Sequence, residues 1–232
     1  MAAEPVRVAA RAAISWSAGK DSMLALLRAR EAGLQVNTFL TLCDADGSSK
    51  SHALPPGLIA AQVAALGGLW RAVAVPAGPG HYATFFNAAL QALRDGGHTH
   101  LVFGDIDLQA HRDWLEAACE RAGLQAVFPL GGQRRAALAE EIVARGIQAR
   151  LVCVDTRSLD ASFAGAAYDA ALLARLPAGV CPCGEGGEFH TFVWNGPGFA
   201  APLKWLMGAP RRVASVPPLS STELIFCTPE LR

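Results

Sequence analysis

Two stretches of this 232-residue chain bring together groups able to do chemistry. The first is Ser17-Ala18-Gly19-Lys20-Asp21-Ser22, a turn between a short apolar run and a leucine- and alanine-rich helical pattern. A helix start leaves backbone N–H groups unpaired, aimed where an anion can accept them. Gly19 lets an anion approach the backbone, Ser17 and Ser22 add hydroxyl donors, and Lys20 offers positive charge to phosphates. Asp21 is placed either to cap the helix or to bind magnesium. The second stretch is Cys183-Gly184-Glu185-Gly186-Gly187-Glu188-Phe189-His190-Thr191. Glu185 and Glu188 suit magnesium or an ammonium nucleophile, and His190 suits proton transfer near neutral pH. The plainer alternative is a polar hairpin turned by its glycines.

The first stretch departs from the Walker pattern. That pattern requires glycine five residues before the Gly-Lys pair and a hydroxyl residue directly after the lysine, where this chain has Ile14 and Asp21.

The elements that must position these groups follow from periodicity. Strand-like runs at Arg11–Ser17, Val36–Leu42, Leu69–Val75, Leu101–Phe103 and Gln125–Phe128 alternate with helical stretches at Asp21–Ala32, Pro56–Leu66, His81–Arg94 and Leu108–Ala122. Such alternation predicts an α/β fold: a layered, Rossmann-like parallel sheet with helices on both faces and ligands at the carboxyl ends of the strands. Gly104 and Asp105 fall at the end of the fourth strand, facing the same cleft as the Ser17–Ser22 turn. Beyond Pro129 come a helix near Arg134–Arg145, a strand at Ala149–Val154, a helix near Tyr168–Leu176, and short β runs at Phe189–Trp194 and Glu223–Phe226. We therefore expect a nucleotide-binding domain over residues 1–130 and a smaller C-terminal α+β substrate domain over 131–232.

The motifs together resemble a known family. Ser17–Ser22 is similar to the pyrophosphate loop of ATP pyrophosphatases of the adenine nucleotide alpha hydrolase type, Ser-Gly-Gly-x-Asp-Ser, with Ala18 for the first glycine. With Phe103-Gly104-Asp105-Ile106 and the Cys183–Thr191 run, it resembles the diphthine–ammonia ligase family from about Ile14 to Pro202. The resemblance implies ATP and magnesium as cofactors, and an enzyme that adenylates a carboxylate, releases pyrophosphate and lets ammonia displace AMP. It implies that Ser17, Ala18, Gly19, Lys20, Asp21, Ser22, Gly104 and Asp105 hold the nucleotide. Lys20, Glu185, Glu188 and His190 would be catalytic; His111, Arg112 and Thr191 would meet the acceptor or amine; Asp21 would hold magnesium.

Leu108, His111 and Arg112 resemble a bacterial-type middle motif, without the Ser-Asp-Tyr-Gln-Arg stretch of the established diphthamide enzymes. Gly131 replaces a common tryptophan, and Cys181-Pro182-Cys183-Gly184-Glu185-Gly186 stands where relatives often have Asp-Pro-Cys-Gly-Glu-Asn. The acceptor, protein or small molecule, stays open. The alternatives are a module that senses ATP or AMP without turnover, and an adenylating ligase or hydrolase for a small metabolite.

Composition narrows the rest. Twenty basic and twenty acidic residues balance, so the chain as a whole offers little electrostatic pull on nucleic acid. There is no membrane-length apolar run, and Met1–Arg11 lacks the apolar block of a secretory signal, so a cytoplasmic protein is expected. Its six scattered cysteines are expected to be mostly reduced thiols, and Cys181 and Cys183 are too close for a usual zinc pair, leaving a structural or incidental role. His52 lies in a polar loop where related enzymes place groups near the nucleotide; a solvated loop histidine is the alternative. Trp16, Trp70 and Trp114 read as packing residues.

Overall fold

The computed structural model describes residues 10–214 and 223–232. Most of the N-terminal segment inspected above for a secretory signal lies outside them. Strand β1 (Arg11–Ser15) is central to a parallel five-stranded sheet and is apolar on both faces: Ala12, Ala13 and Ile14 are wholly buried. It is followed by α1 (Lys20–Glu31), β2 (Gln35–Cys43), α2 (Pro56–Ala65), β3 (Leu69–Ala74), α3 (His81–Asp95), β4 (His100–Val102), α4 (Gln109–Arg121) and β5 (Gln125–Val127).

The strand order is β3-β2-β1-β4-β5. The chain thus winds outward from β1 through β2 and β3, then returns to the other side of β1 at β4. This reversal opens a crevice beyond the carboxyl ends of β1 and β4. The Ser17–Ser22 turn follows β1 and Gly104-Asp105 follows β4, so the topology alone brings them to one crevice.

Each sheet face has its own core. On one, α3 and α4 pack Phe86, Leu90, Leu93 and Leu115 against Ala13, Leu40 and Leu101. On the other, Met23, Leu24 and Leu27 of α1 join Leu58, Ile59 and Val63 of α2, and this core runs on into the C-terminal part of the chain.

That part comprises α5 (Arg135–Ala144), β6 (Gln148–Asp155), β7 (Ala167–Tyr168), α6 (Ala170–Arg175), β8 (Phe189–Asn195), β9 (Trp205–Met207), β10 (Arg211–Ala214), β11 (Glu223–Phe226) and β12 (Pro229–Leu231). Strand β6 is the hub of a smaller antiparallel sheet, pairing with β7, β8 and β11, while β9 and β12 form a separate two-stranded ribbon. The expected α/β layered fold with a smaller C-terminal α+β portion is observed. Periodicity did not reveal β7, β9, β10 and β12, which are two to four residues long.

No helix among the described residues is long and apolar enough to cross a membrane. All six cysteines are free and buried, with no disulfide.

Candidate nucleotide site at the β1 and β8 loops

The Ser17–Ser22 turn is held in place from several sides. Ala18 takes φ +67°, a left-handed conformation that costs a residue with a Cβ about 1–2 kcal/mol. Its carbonyl accepts from the Val193 N–H at 3.0 Å and from Gln62 Nε2 at 3.1 Å. Gln62, wholly buried, also donates to the Val193 carbonyl and accepts from Trp16 Nε1 at 2.7 Å. One side chain from α2 therefore ties together the end of β1, the turn and β8. It was missed in the sequence, although it is the one polar side chain of the otherwise apolar helix Pro56–Ala65.

Helix α1 begins at Lys20 with Gly19 as its N-cap and no side-chain cap from within the turn. The Lys20 N–H instead donates to Thr191 Oγ1 on β8 at 3.1 Å. The Ser17 hydroxyl donates to Ser22 Oγ at 3.1 Å and accepts from the Gly19 N–H at 3.2 Å. Glycine at 104 answers a close approach: a Cβ there would lie 2.9 Å from the Ser22 nitrogen and 3.1 Å from the Asp21 carbonyl carbon. The end of β4 is thereby pressed against the first turn of α1.

The Lys20 side chain is only 2% exposed. Its ammonium donates to Asp21 Oδ2 at 2.8 Å and to the Cys183 carbonyl, and stands 5.3 Å and 5.2 Å from the ring centres of Tyr168 and Phe189. Lys20 thus clamps the turn to the Cys183–Thr191 loop while its charge remains in the wall of the cleft. Asp21 Oδ1 is buried with no hydrogen-bond partner.

These groups face a cavity of about 320 Å³. From the first stretch come Ser17, Lys20, Asp21 and Ser22; from the end of β4 come Gly104, Asp105 and then His111; from the C-terminal stretch come Glu185, His190 and Thr191. Burial, and then the Asp21 carboxylate, push the Glu185 carboxyl up to about 7, against the pull of Lys20 and Arg135. Burial, with Lys20 adding to it, pushes His190 down to about 4, so its imidazole is neutral near pH 7. His111 bonds Asp105 through Nδ1, which raises its pKa.

Four residues singled out in the sequence do not line the cavity. Ala18 and Gly19 lie in the turn between the lining residues Ser17 and Lys20. The Glu188 carboxylate is occupied by the N–H groups of Cys181 at 3.1 Å and Gly186 at 2.8 Å, so it fixes the loop. Arg112 lies in an adjoining cavity of about 130 Å³, paired with Glu116 and stacked 4.7 Å over Phe128. A Cβ at Gly131 would sit 2.9 Å from Arg112 Nη1, so this arginine fills the space beside the glycine.

Cys181 and Cys183 are both bonded to Arg135: Cys183 Sγ donates to its carbonyl at 3.2 Å, and Cys181 Sγ accepts from its Nη1 at 3.5 Å. His52 is not a solvated loop histidine. Its ring lies tilted by 31° against that of His190, with centres 4.7 Å apart, and packs against Gly19. Among the described residues no cluster of three or more His, Cys, Asp or Glu side chains could hold a metal ion.

Comparison with known proteins identifies a family. Residues 10–126 match the family described as the diphthamide synthase N-terminal domain, and residues 134–208 match its C-terminal domain. No curated protein matches the chain. A solved structure, described as a predicted subunit of tRNA methyltransferase from Methanocaldococcus jannaschii, is similar over 81% of this chain and 98% of that one, with 14% identity and a TM-score of 0.45.

Proposed function

Since the chain belongs to the diphthamide synthase family, whose members use ATP, we propose that it is an AMP-forming carboxylate–ammonia ligase of the ATP pyrophosphatase type. The observation that supports this most directly is that two motifs separated by 171 positions, Lys20 and Thr191, meet by a hydrogen bond on the wall of one cavity. A phosphate turn alone suits a sensor. A phosphate turn facing a carboxyl that titrates near neutrality and two neutral imidazoles suits an enzyme.

In this reading the triphosphate lies along the Ser17–Ser22 turn, with the Ser17 and Ser22 hydroxyls, the α1 start and the Lys20 charge stabilising the leaving pyrophosphate. The acceptor carboxylate attacks the α-phosphorus, and ammonia then displaces AMP from the acyl adenylate. Glu185 takes the proton released by the attacking amine, while Thr191 and His190 border the reacting centre. Catalysis is positional and electrostatic, with no covalent bond to the protein.

Magnesium commonly binds through one or two carboxylates plus substrate phosphates, so the absence of a three-ligand cluster among the described residues is compatible with it. The unpartnered Asp21 Oδ1 fits that role, and magnesium there would supply charge neutralisation on the phosphates. The acceptor is a carboxylate on a protein or a small molecule, and a cytoplasmic location is part of this proposal.

The test is to incubate the protein with α-labelled ATP, magnesium, ammonium and a panel of carboxylates, and to separate the nucleotides. Carboxylate-dependent release of AMP and pyrophosphate is expected. Formation of ADP, or tight ATP binding without AMP under every condition, overturns the ligase in favour of another ATPase or of a sensor.

A further inference from the structure

His52 has no role in the reading above, yet its ring is built into the floor of the turn. A Cβ at Gly19 would lie 2.5 Å from His52 Cε1 and 3.3 Å from its Nδ1, so Gly19 has no side chain because the imidazole occupies that space. The ring is aimed by a tight polar turn. Ala53 takes φ +51°, its N–H donates to the Ser49 carbonyl at 2.8 Å, and the Leu54 N–H donates to the buried Ser49 hydroxyl at 3.1 Å. A left-handed alanine directly after the histidine is strain retained to hold one ring orientation.

Nδ1 of this ring is sealed from solvent and has no hydrogen-bond partner in the protein. The ring itself lines the main cavity, beside the phosphate turn. His52 and His190 also form the partition between the main cavity and a second one of about 270 Å³, lined on its far side by Lys50, Cys153, Asp155 and Arg157.

We propose that His52 is a polyphosphate contact: its cavity-lining imidazole donates a hydrogen bond to an oxyanion seated on the Ser17–Ser22 turn, and the ring takes up a proton as the anion arrives. This rests on the phosphate reading of the turn and adds to it a pH-linked recognition group.

The groups around the ring set the direction of that linkage. Burial opposes a charge on His52 most, followed by the neighbouring His190 of β8 and the Lys20 ammonium of α1; hydrogen bonding to the Thr191 backbone favours it. In its own loop Lys50 is paired with Asp44, and across the second cavity Arg157 is paired with Asp155, so neither pair supplies a free counter-charge. The ring is therefore neutral in the free protein. A multiply charged anion at Gly19 reverses the local sign, and the imidazolium becomes the favoured form.

The experiment titrates inorganic pyrophosphate into the full chain by calorimetry at about pH 6, 7 and 8, for wild type, His52→Gln and His52→Ala. His52→Gln keeps an N–H donor that does not titrate, and comparison with it cancels the probe's own protonation. Wild-type affinity is expected to fall with rising pH more steeply than that of His52→Gln, and His52→Ala to bind about tenfold or more weakly, the scale of a lost hydrogen bond to a charged group. Imidazole nitrogen resonances of wild type read protonation directly, whatever the folding of the variants, and are expected to move to the imidazolium position on saturation. Equal pH slopes together with an unmoved His52 resonance overturn the proposal while leaving the phosphate turn standing. Failure of wild type to bind pyrophosphate at millimolar concentration overturns both.

Discussion

The backbone N–H of Lys20 and the hydroxyl of Thr191 are hydrogen-bonded at 3.1 Å, so the first amide of α1 is capped by a side chain from the antiparallel sheet. A helix that normally caps itself with a neighbouring Ser, Thr or Asp has delegated the task to a residue 171 positions away. The phosphate turn and the C-terminal signature are consequently one mechanical unit. Thr191→Val keeps the shape but leaves the buried Lys20 N–H unpaired. It is expected to lower unfolding free energy by about 1–3 kcal/mol, and Thr191→Ser to restore most of it. Urea unfolding of the three proteins measures this, and equal stability of Thr191→Val and wild type would refute the cap.

Gln62 offers a sharper case because all its bonding capacity is directed at the site. Its amide holds the Ala18 and Val193 carbonyls and its oxygen holds the Trp16 indole N–H. Gln62→Leu fills the volume but removes three buried hydrogen bonds at once. The expected loss is about 2–4 kcal/mol of stability, together with weakened ATP binding as the Ala18 carbonyl loses one of its two hydrogen bonds. Thermal unfolding and nucleotide titration report the two effects. A stable variant with unchanged ATP affinity would show that the turn needs no brace from α2.

How far the sequence foretold this architecture depended on the range of the interactions involved. Parallel strands buried on both faces, such as Arg11–Ser15, announce themselves as apolar runs, and the alternation through Gln125–Val127 specified the sheet. The crevice followed from strand order, which placed Gly104 beside the Ser17–Ser22 turn. What periodicity does not encode is which polar side chains face one another across the two sheets. Glu188 and Glu185 look equivalent in a glycine-rich loop, yet one is bonded by two backbone N–H groups and the other faces the cavity. His52 reads as a loop residue until the close approach of Gly19 is known. Tyr168, Phe189 and the Cys183 carbonyl, which enclose the Lys20 amino group, are distant from it in sequence.

Ala18 gives a prediction about backbone strain. Its φ of +67° suits glycine, and glycine is what the resembling motif carries there. Relief of about 1–2 kcal/mol of left-handed strain in Ala18→Gly is offset by the greater freedom of the unfolded chain and by loss of a buried methyl group. The net change is expected to stay within about 1 kcal/mol, whereas Ala18→Val, β-branched and wholly enclosed, is expected to lose about 2 kcal/mol or more. Equilibrium unfolding distinguishes them, and a tolerated valine would mean that the turn can relax away from this conformation.

The Glu185 carboxyl ties stability and activity to pH with opposite signs. Its pKa rises from 4.5 to about 7, first through burial and then through Asp21. Between those values the folded chain holds a proton that the unfolded chain has released. That contribution to stability is full below 4.5 and is lost as pH climbs through 7. His190 and His52, depressed by burial, act the other way below 6.5, so the wild-type profile alone does not isolate the carboxyl. The difference between wild type and Glu185→Gln does. It is expected to shrink steadily from about pH 5 to about pH 7 and to level off above, when unfolding free energies are compared without ligand. A difference independent of pH would place the carboxyl in the ordinary range. AMP formation should move oppositely, rising over the same interval in wild type as the carboxylate base appears and remaining low in Glu185→Gln.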